Sequence, residues 1–271
     1  MIVDALLGRH KGDLLAPHFS FRRAQHDVIS PDLYTAICTL RYEAYCLECG
    51  FLDPADYQHG LECDEFEHRS TYAAAYNMAN DLVGTVRLVR ATPLEQIFPW
   101  ELHCQPYPGF NLPDPLQSAE VSRLVVHKHY RRRTGDSREG IPREISSAAG
   151  TATISASSGK PTRAKRRSNA PQILLGMYRE LYRYSRVNGI RYWYAAMERS
   201  LANSLDKMGF LFRPVGPEMD YYGPVRLYMT DLDELMARLQ EINPLVYAWF
   251  NDIPITRWML VQTYLKSKCL H

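Results

Sequence analysis

Residues 119–130, AEVSRLVVHKHY, alternate polar and apolar side chains and read as a β-strand with one face turned to a core. Upstream, a Pro-rich loop covers about residues 92–117. Before it, two short runs rich in Val, Tyr and Thr, 71–79 (TYAAAYNMA) and 82–90 (LVGTVRLVR), are parted by Asn80-Asp81 and read as a β-hairpin. Residues 31–48 (PDLYTAICTLRYEAYCLE) carry apolar positions at helical spacing behind Ser30-Pro31, a cap and first-turn pair, and predict an amphipathic helix.

Downstream, residues 134–170 are rich in Ser, Gly, Ala and basic side chains, with too few apolar anchors to offset chain entropy, and predict a mobile basic insertion. A helix follows at 173–189 (ILLGMYRELYRYSRVNG), stopped by Asn188-Gly189, then a strand at 190–197 (IRYWYAAM) and a short helix at 200–210 ending near Gly209. LFRPVG (211–216) and PVRLYMTD (224–231) read as closing strands, and residues 231–271 as a helical extension. A sheet with both hairpins and a helical crossover is mixed. The expected fold is therefore α/β or α+β, one elaborated domain over 1–271 with helices on both faces.

Net charge is only +2, yet residues 128–167 hold eleven Lys and Arg against three Asp and Glu, which suggests an acidic partner for that segment. Charges or prolines interrupt every hydrophobic run short of the roughly 18 residues a membrane-spanning helix needs, so any membrane contact is expected to be peripheral. Six irregularly spaced cysteines without a secretory signal pattern suggest reduced thiols and a cytoplasmic location. Cys46, Cys49, His59 and Cys63 have the residue types for zinc, but their spacing fits no compact knuckle, and no metal is expected.

The motifs Arg41-x3-Tyr45, Glu62-x-Asp64, Gly84-Thr-Val-Arg87-Leu and Glu120-x-Ser122-Arg123 occur in an order that resembles acyl-homoserine-lactone synthases and their relatives, the N-acyl amino acid synthases. EVSRLVV, the RRR cluster, LLGMYRELYRYSRVNGI and AAMERSLANSLDKMGF resemble more closely the acyltransferase family associated with the PEP-CTERM/exosortase system. Tyr45 stands where the lactone synthases usually carry Phe, and no Trp follows shortly after it, which speaks against a lactone product. The resemblance spans roughly residues 20–245. It implies a GNAT-like fold whose central strands splay apart, an N-acyltransferase activity, and a fatty acyl donor carried as a phosphopantetheine thioester that is not permanently bound.

By that resemblance the strand from Ser122 through Val125 and Val126 presents a backbone N–H to the thioester carbonyl, with the pantetheine arm filling the gap toward Tyr192–Ala196. Glu120 is the expected base for the amine proton, the other reading being a structural carboxylate paired with Arg123 or Arg87 and lowered in pKa by them. Ser122 places substrate or carrier arm, and Arg123 fixes architecture through bidentate pairing. Glu62 and Asp64, two apart and on one side of an extended chain, either bind the acceptor ammonium or pair with Arg41 and Arg87 to close the N-terminal part over the site. Glu198 is a further acceptor contact.

Lys128, Arg131, Arg132 and Arg133 are expected to steer an acidic acyl carrier protein and grip its phosphopantetheine phosphate; coenzyme A is the other donor source. Nucleic acid is not expected, because the cluster lacks aromatic interleaving and a recognised binding module. Two other functions stay open at this point, an acyl-homoserine-lactone-type autoinducer synthase and a noncatalytic carrier-binding adaptor of an envelope or exopolysaccharide export system. The small amine acceptor itself is not legible in the residues.

Overall fold

The structure, a computed structural model, describes residues 18–130, 170–221, 223–256 and 258–259. The basic insertion expected at 134–170 lies outside these residues except for Ala170, as do Arg131, Arg132, Arg133 and the end of the C-terminal extension.

Seven strands form one mixed sheet: β1 (Ser20–Gln25), β2 (Ser70–Tyr76), β3 (Leu82–Arg90), β4 (Ser118–Val126), β5 (Tyr192–Met197), β6 (Arg213–Asp220) and β7 (Pro224–Asp231). Their order is β1-β2-β3-β4-β5-β7-β6. Every neighbouring pair is antiparallel except β4 and β5, which run parallel. A parallel pair needs a crossover, and helix α2 (Ala170–Val187) lies in that connection.

The period-two alternation of β2 divides the core. Ala73 and Ala75 face the larger cluster, where Ile173, Met177 and Leu181 of α2 meet Val86 and Leu88 of β3 and Val121 of β4. Burial of each Ile, Met, Leu and Val side chain there contributes about 1.5–3 kcal/mol. Tyr72, Ala74 and Tyr76 face the other way, onto Ile37 of α1 (Pro31–Tyr42). α3 (Arg199–Lys207), α4 (Leu232–Ile242) and α5 (Pro244–Phe250) complete the elements, so helices cover both faces as the sequence pattern requires.

Local chemistry sets the element ends. The Ser30 side chain accepts the Leu33 N–H at the start of α1. Gly189, at φ +71°, ends α2 in the left-handed conformation that the Asn188-Gly189 pair foretells. Three departures from the sequence reading have plain causes. Strand β1 goes unforeseen because SFRRAQ is largely polar; it is an edge strand whose one large apolar side chain, Phe21, sits against Gly176 of α2. The helix expected over 31–48 changes at Glu43–Glu48 into a π-helical turn. The tail helix breaks at Asn243, whose side chain accepts the Val246 N–H and caps a new helix opened by Pro244.

Among the described residues no helix is long and apolar enough to cross a membrane. The loop between β3 and β4 is held against β6 by a hydrogen bond from the Tyr107 N–H to the Val215 carbonyl, 2.8 Å. Beside it, a Cβ on Gly216 would stand 2.3 Å from the Gln105 carbonyl oxygen, a backbone atom that cannot rotate away. Gly216→Ala is expected to cost about 1–3 kcal/mol in urea denaturation by forcing the loop off the sheet; an unchanged midpoint would show the loop to be loosely held.

Candidate active site

Strands β4 and β5 pair only at their beginnings: Ser118, Ala119 and Glu120 face Tyr192, Trp193 and Tyr194, and the ladder stops there among the described residues. The cause lies on the other edge of β4. From Thr85 opposite Val125 to Arg87 opposite Ser122, β3 advances two residues while β4 advances three, so β4 carries a bulge. Arg123 sits in it at φ +51°. That conformation costs a side chain with a Cβ roughly 1–2 kcal/mol, and something must hold it.

What holds it is a closed cluster of three guanidiniums and three carboxylates. Arg123 Nε donates to Glu62 at 3.0 Å and Arg123 Nη2 to Asp64 at 3.1 Å. Arg87 Nη1, from β3, donates to Asp64 at 2.6 Å and to Glu67 at 2.9 Å, while its Nε reaches the Ser122 hydroxyl at 3.2 Å. Arg41, in the last turn of α1, donates to Glu62 and, at 2.8 Å, to Glu67, which also accepts from the Tyr72 hydroxyl. Burial alone would raise all three carboxyls, but the facing guanidiniums hold them below their ordinary range, Asp64 at about 2. α1, the segment after it, β3 and the β4 bulge are thereby tied at one point.

The parted strands leave a cleft. One wall is the backbone from Glu120 to Leu124 and the other runs from Ala195 to Glu198. Trp100, Leu124, Tyr178, Met197 and Leu201 give it an apolar lining suited to a hydrocarbon chain. At its rim His103 and Tyr221 stack with ring centroids 3.9 Å apart. Burial, and then the charge of Arg123, lower the His103 imidazole and favour its neutral form.

Glu120 lines this cleft while only 4% exposed. Its Oε2 accepts the Trp100 backbone N–H at 2.7 Å, and none of its described bonds is to arginine. Burial pushes the carboxyl up to about 7, against the lowering effect of the Trp100 hydrogen bond and of the more distant Arg87 and Arg123. The reading of Glu120 as a carboxylate paired with arginine and lowered by it finds no such pair here: Arg123 bonds to Glu62 and Asp64, Arg87 to Asp64 and Glu67, and both act on Glu120 only from a distance. The indole N–H of Trp100, whose ring lies against Tyr194, is buried and has no hydrogen-bond partner among the described residues.

The residues singled out in the sequence thus fall into separate groups. Glu120, Ser122, Arg123 and Glu198 reach the cleft. Of the two readings of Glu62 and Asp64, the structure has the pairing with Arg41 and Arg87 and not an open substrate contact: the four sit behind the wall, Arg41, Glu62 and Arg87 at most 1% exposed. Val125 and Val126 pack into the apolar interior rather than lining the cleft. Glu198 precedes α3 and accepts from the Ser200 hydroxyl at 2.9 Å. Lys128 lies 3.9 Å from Glu48 on a single turn after β4. Cys46, Cys49, His59 and Cys63 do not converge, and among the described residues no group of three His, Cys, Asp or Glu could hold a metal ion.

Sequence reasoning missed Glu67, Trp100, Tyr45 as a cleft residue, and the His103–Tyr221 stack. For Glu67 a signal existed: it continues the acidic run Glu62, Asp64, Glu65 at a spacing that returns it to Arg41 once the chain turns.

Glu67→Gln leaves a buried positive charge uncompensated and is expected to lower stability by about 3–5 kcal/mol in urea denaturation. With Asp64 lowered from 3.8 to about 2, its stabilisation is complete above pH 4 and fades as pH falls toward 2, so acid titration of the folded fraction should show a step there. A flat response would mean the cluster contributes nothing.

Residues 40–138 match the protein family described as acetyltransferase (GNAT) domain. Similar solved structures include TofI in a ternary complex with an inhibitor and MTA, with TM-score 0.53 and 14% identity, covering 84% of this chain and 98% of that one. BjaI, a CoA-dependent acyl-homoserine lactone synthase with SAM and isopentyl-CoA, has TM-score 0.51 and 16% identity over 82% of this chain and 89% of that one. The AHL synthase LasI has TM-score 0.50 and 15% identity over 78% and 88% respectively. No curated protein matches the chain by sequence. At these identities the likeness speaks to architecture, and the architecture is a GNAT-like mixed α/β fold.

Proposed function

We propose that this chain is a GNAT-type acyltransferase that moves a fatty acyl group from a phosphopantetheine thioester to the amine of an amino acid or a similar small acceptor. The observation that carries the reading is the cleft between β4 and β5 with Glu120 buried in its wall, its carboxyl near pH 7 and clear of arginine.

Aminolysis of a thioester needs a neutral amine, a group that takes its proton and donors for the oxyanion. Glu120 in its ionised form accepts the proton as the nitrogen attacks the carbonyl carbon. The tetrahedral intermediate then collapses, the C–S bond breaks and the thiolate leaves, taking a proton from solvent or from Glu120. A carboxyl with a pKa near 7 suits this exchange better than an ordinary glutamate, since base strength and the ionised fraction are both adequate near neutral pH. The apolar lining accommodates the acyl chain.

For the donor we favour an acyl carrier protein, on the strength of the basic run Lys128, Arg131, Arg132 and Arg133 after the strand that forms the cleft wall. Coenzyme A is the other source, since BjaI is named as a CoA-dependent enzyme. A lactone-forming autoinducer synthase is a second reading, supported by the names of BjaI and LasI. Placement beside the PEP-CTERM/exosortase system rests on the sequence resemblance alone.

Mass spectrometry of lipid extracts from cells expressing the chain separates these readings. An open-chain N-acyl amide is expected, a lactone would favour the second, and no new acyl product would favour a carrier-binding adaptor. Glu120→Gln should lower kcat/KM by about 10²–10⁴-fold and remove the acidic limb near pH 7 from the rate profile. Because the folded pKa of Glu120 is raised from 4.5 to about 7, its stabilising effect is complete below pH 4.5 and lost as pH rises through 7, so activity and stability should run in opposite directions across that window. Reversing the charges of Arg131, Arg132 and Arg133 should raise KM for acyl carrier protein in a salt-dependent way; an unchanged KM would remove the steering argument.

A further inference from the structure

Beside Arg123, the bulge is also held by a residue that the chemistry above leaves unused. Tyr45 lies in the π-helical turn Glu43–Glu48, where the Phe51 N–H reaches the Tyr45 carbonyl at 2.8 Å. This wider turn carries Tyr45, Phe51 and Leu52 to the cleft wall. The Tyr45 hydroxyl donates to the Leu124 carbonyl at 3.2 Å, and the Arg123 guanidinium lies 5.7 Å from its ring centroid. Burial pushes the Tyr45 phenol up to about 12, with the charge of Arg123 opposing, so it remains a donor throughout the neutral range.

The parting of β4 from β5 removes the strand partner that Leu124 would otherwise meet on that edge. In extended backbone the N–H and C=O of one residue point to the same edge of the strand. A hydroxyl from a cleft-lining side chain that occupies the Leu124 carbonyl therefore fixes the direction of the Leu124 N–H as well, toward the space between the strands. It also covers an acceptor oxygen that would repel a developing oxyanion. We propose that Tyr45 is a positioning residue: by holding the Leu124 carbonyl it orients the Leu124 amide, rather than those of Val125 and Val126, as the donor to the thioester carbonyl.

This rests on the acyltransferase reading, and the test separates the two. Tyr45→Phe removes one oxygen atom and keeps the ring. With the acyltransferase assay, kcat is expected to fall by about ten- to a hundredfold while KM for the acyl donor changes less than twofold and the acidic limb near pH 7 stays in place. Independently of turnover, the infrared carbonyl band of carbonyl-carbon-13-labelled octanoyl-pantetheine should shift to lower frequency on binding wild type, and return toward its solution position on binding Tyr45→Phe. Wild-type kcat in the variant, a loss confined to KM, or a band identical in both proteins would overturn the role of Tyr45. Absence of turnover in wild type together with a band shift abolished by Tyr45→Phe would overturn the transfer reading while leaving the carbonyl-binding role intact.

Discussion

The strained bulge at Arg123 is the feature on which the site depends, and it exists because six charges close on one another around it. A guanidinium on a left-handed residue is an unfavourable choice in isolation. Here its side chain reaches Glu62 and Asp64, which Arg41 and Arg87 hold in turn, so the conformation is over-determined. Buried ion pairs of this kind contribute little net stability over an apolar replacement, because desolvation offsets most of the attraction. Their contribution is geometric: they fix where β4 must leave β5.

Two consequences follow for Glu120, which stands at the last paired position before the strands part. The nearby Arg87 and Arg123 bond to other carboxylates and lower its pKa only from a distance. Desolvation therefore dominates, and the carboxyl of Glu120, two residues from Ser122 and three from Arg123, is pushed up to about 7, the range that the proposed base requires. The same network that makes the wall rigid leaves the carboxyl unneutralised, so architecture and chemistry come from one arrangement.

Much of the fold was readable before any coordinates, because it is written in local periodicity. The run 82–90 appears as β3 with those bounds, and Asn188-Gly189 ends α2 as its composition requires. The mixed sheet follows from the hairpin and crossover pattern, whereas the splayed central pair was expected only from the family resemblance. The site was legible as residue types but not as partners. Spacing puts Glu62 and Asp64 on one side of the chain, yet whether they face an ammonium or a guanidinium is decided by α1 and β4, which are far away in sequence. Trp100 and His103 belong to a Pro-rich segment that reads as a connector, and only tertiary contact with β4 and β6 brings them to the cleft. The π-helical turn that aims Tyr45 has no sequence signature at all, since it differs from α-helix only in the spacing of its hydrogen bonds.

The most direct test of this account is a crystal structure with a stable amide analogue of acyl-pantetheine. The account predicts the pantetheine arm between residues 120–124 and 195–198, its carbonyl oxygen at the Leu124 N–H, its acyl chain against Tyr178 and Leu201, and the Glu120 carboxyl beside the carbonyl carbon. An analogue bound elsewhere, or strands β4 and β5 found hydrogen-bonded past Glu120 with the cleft closed, would contradict it.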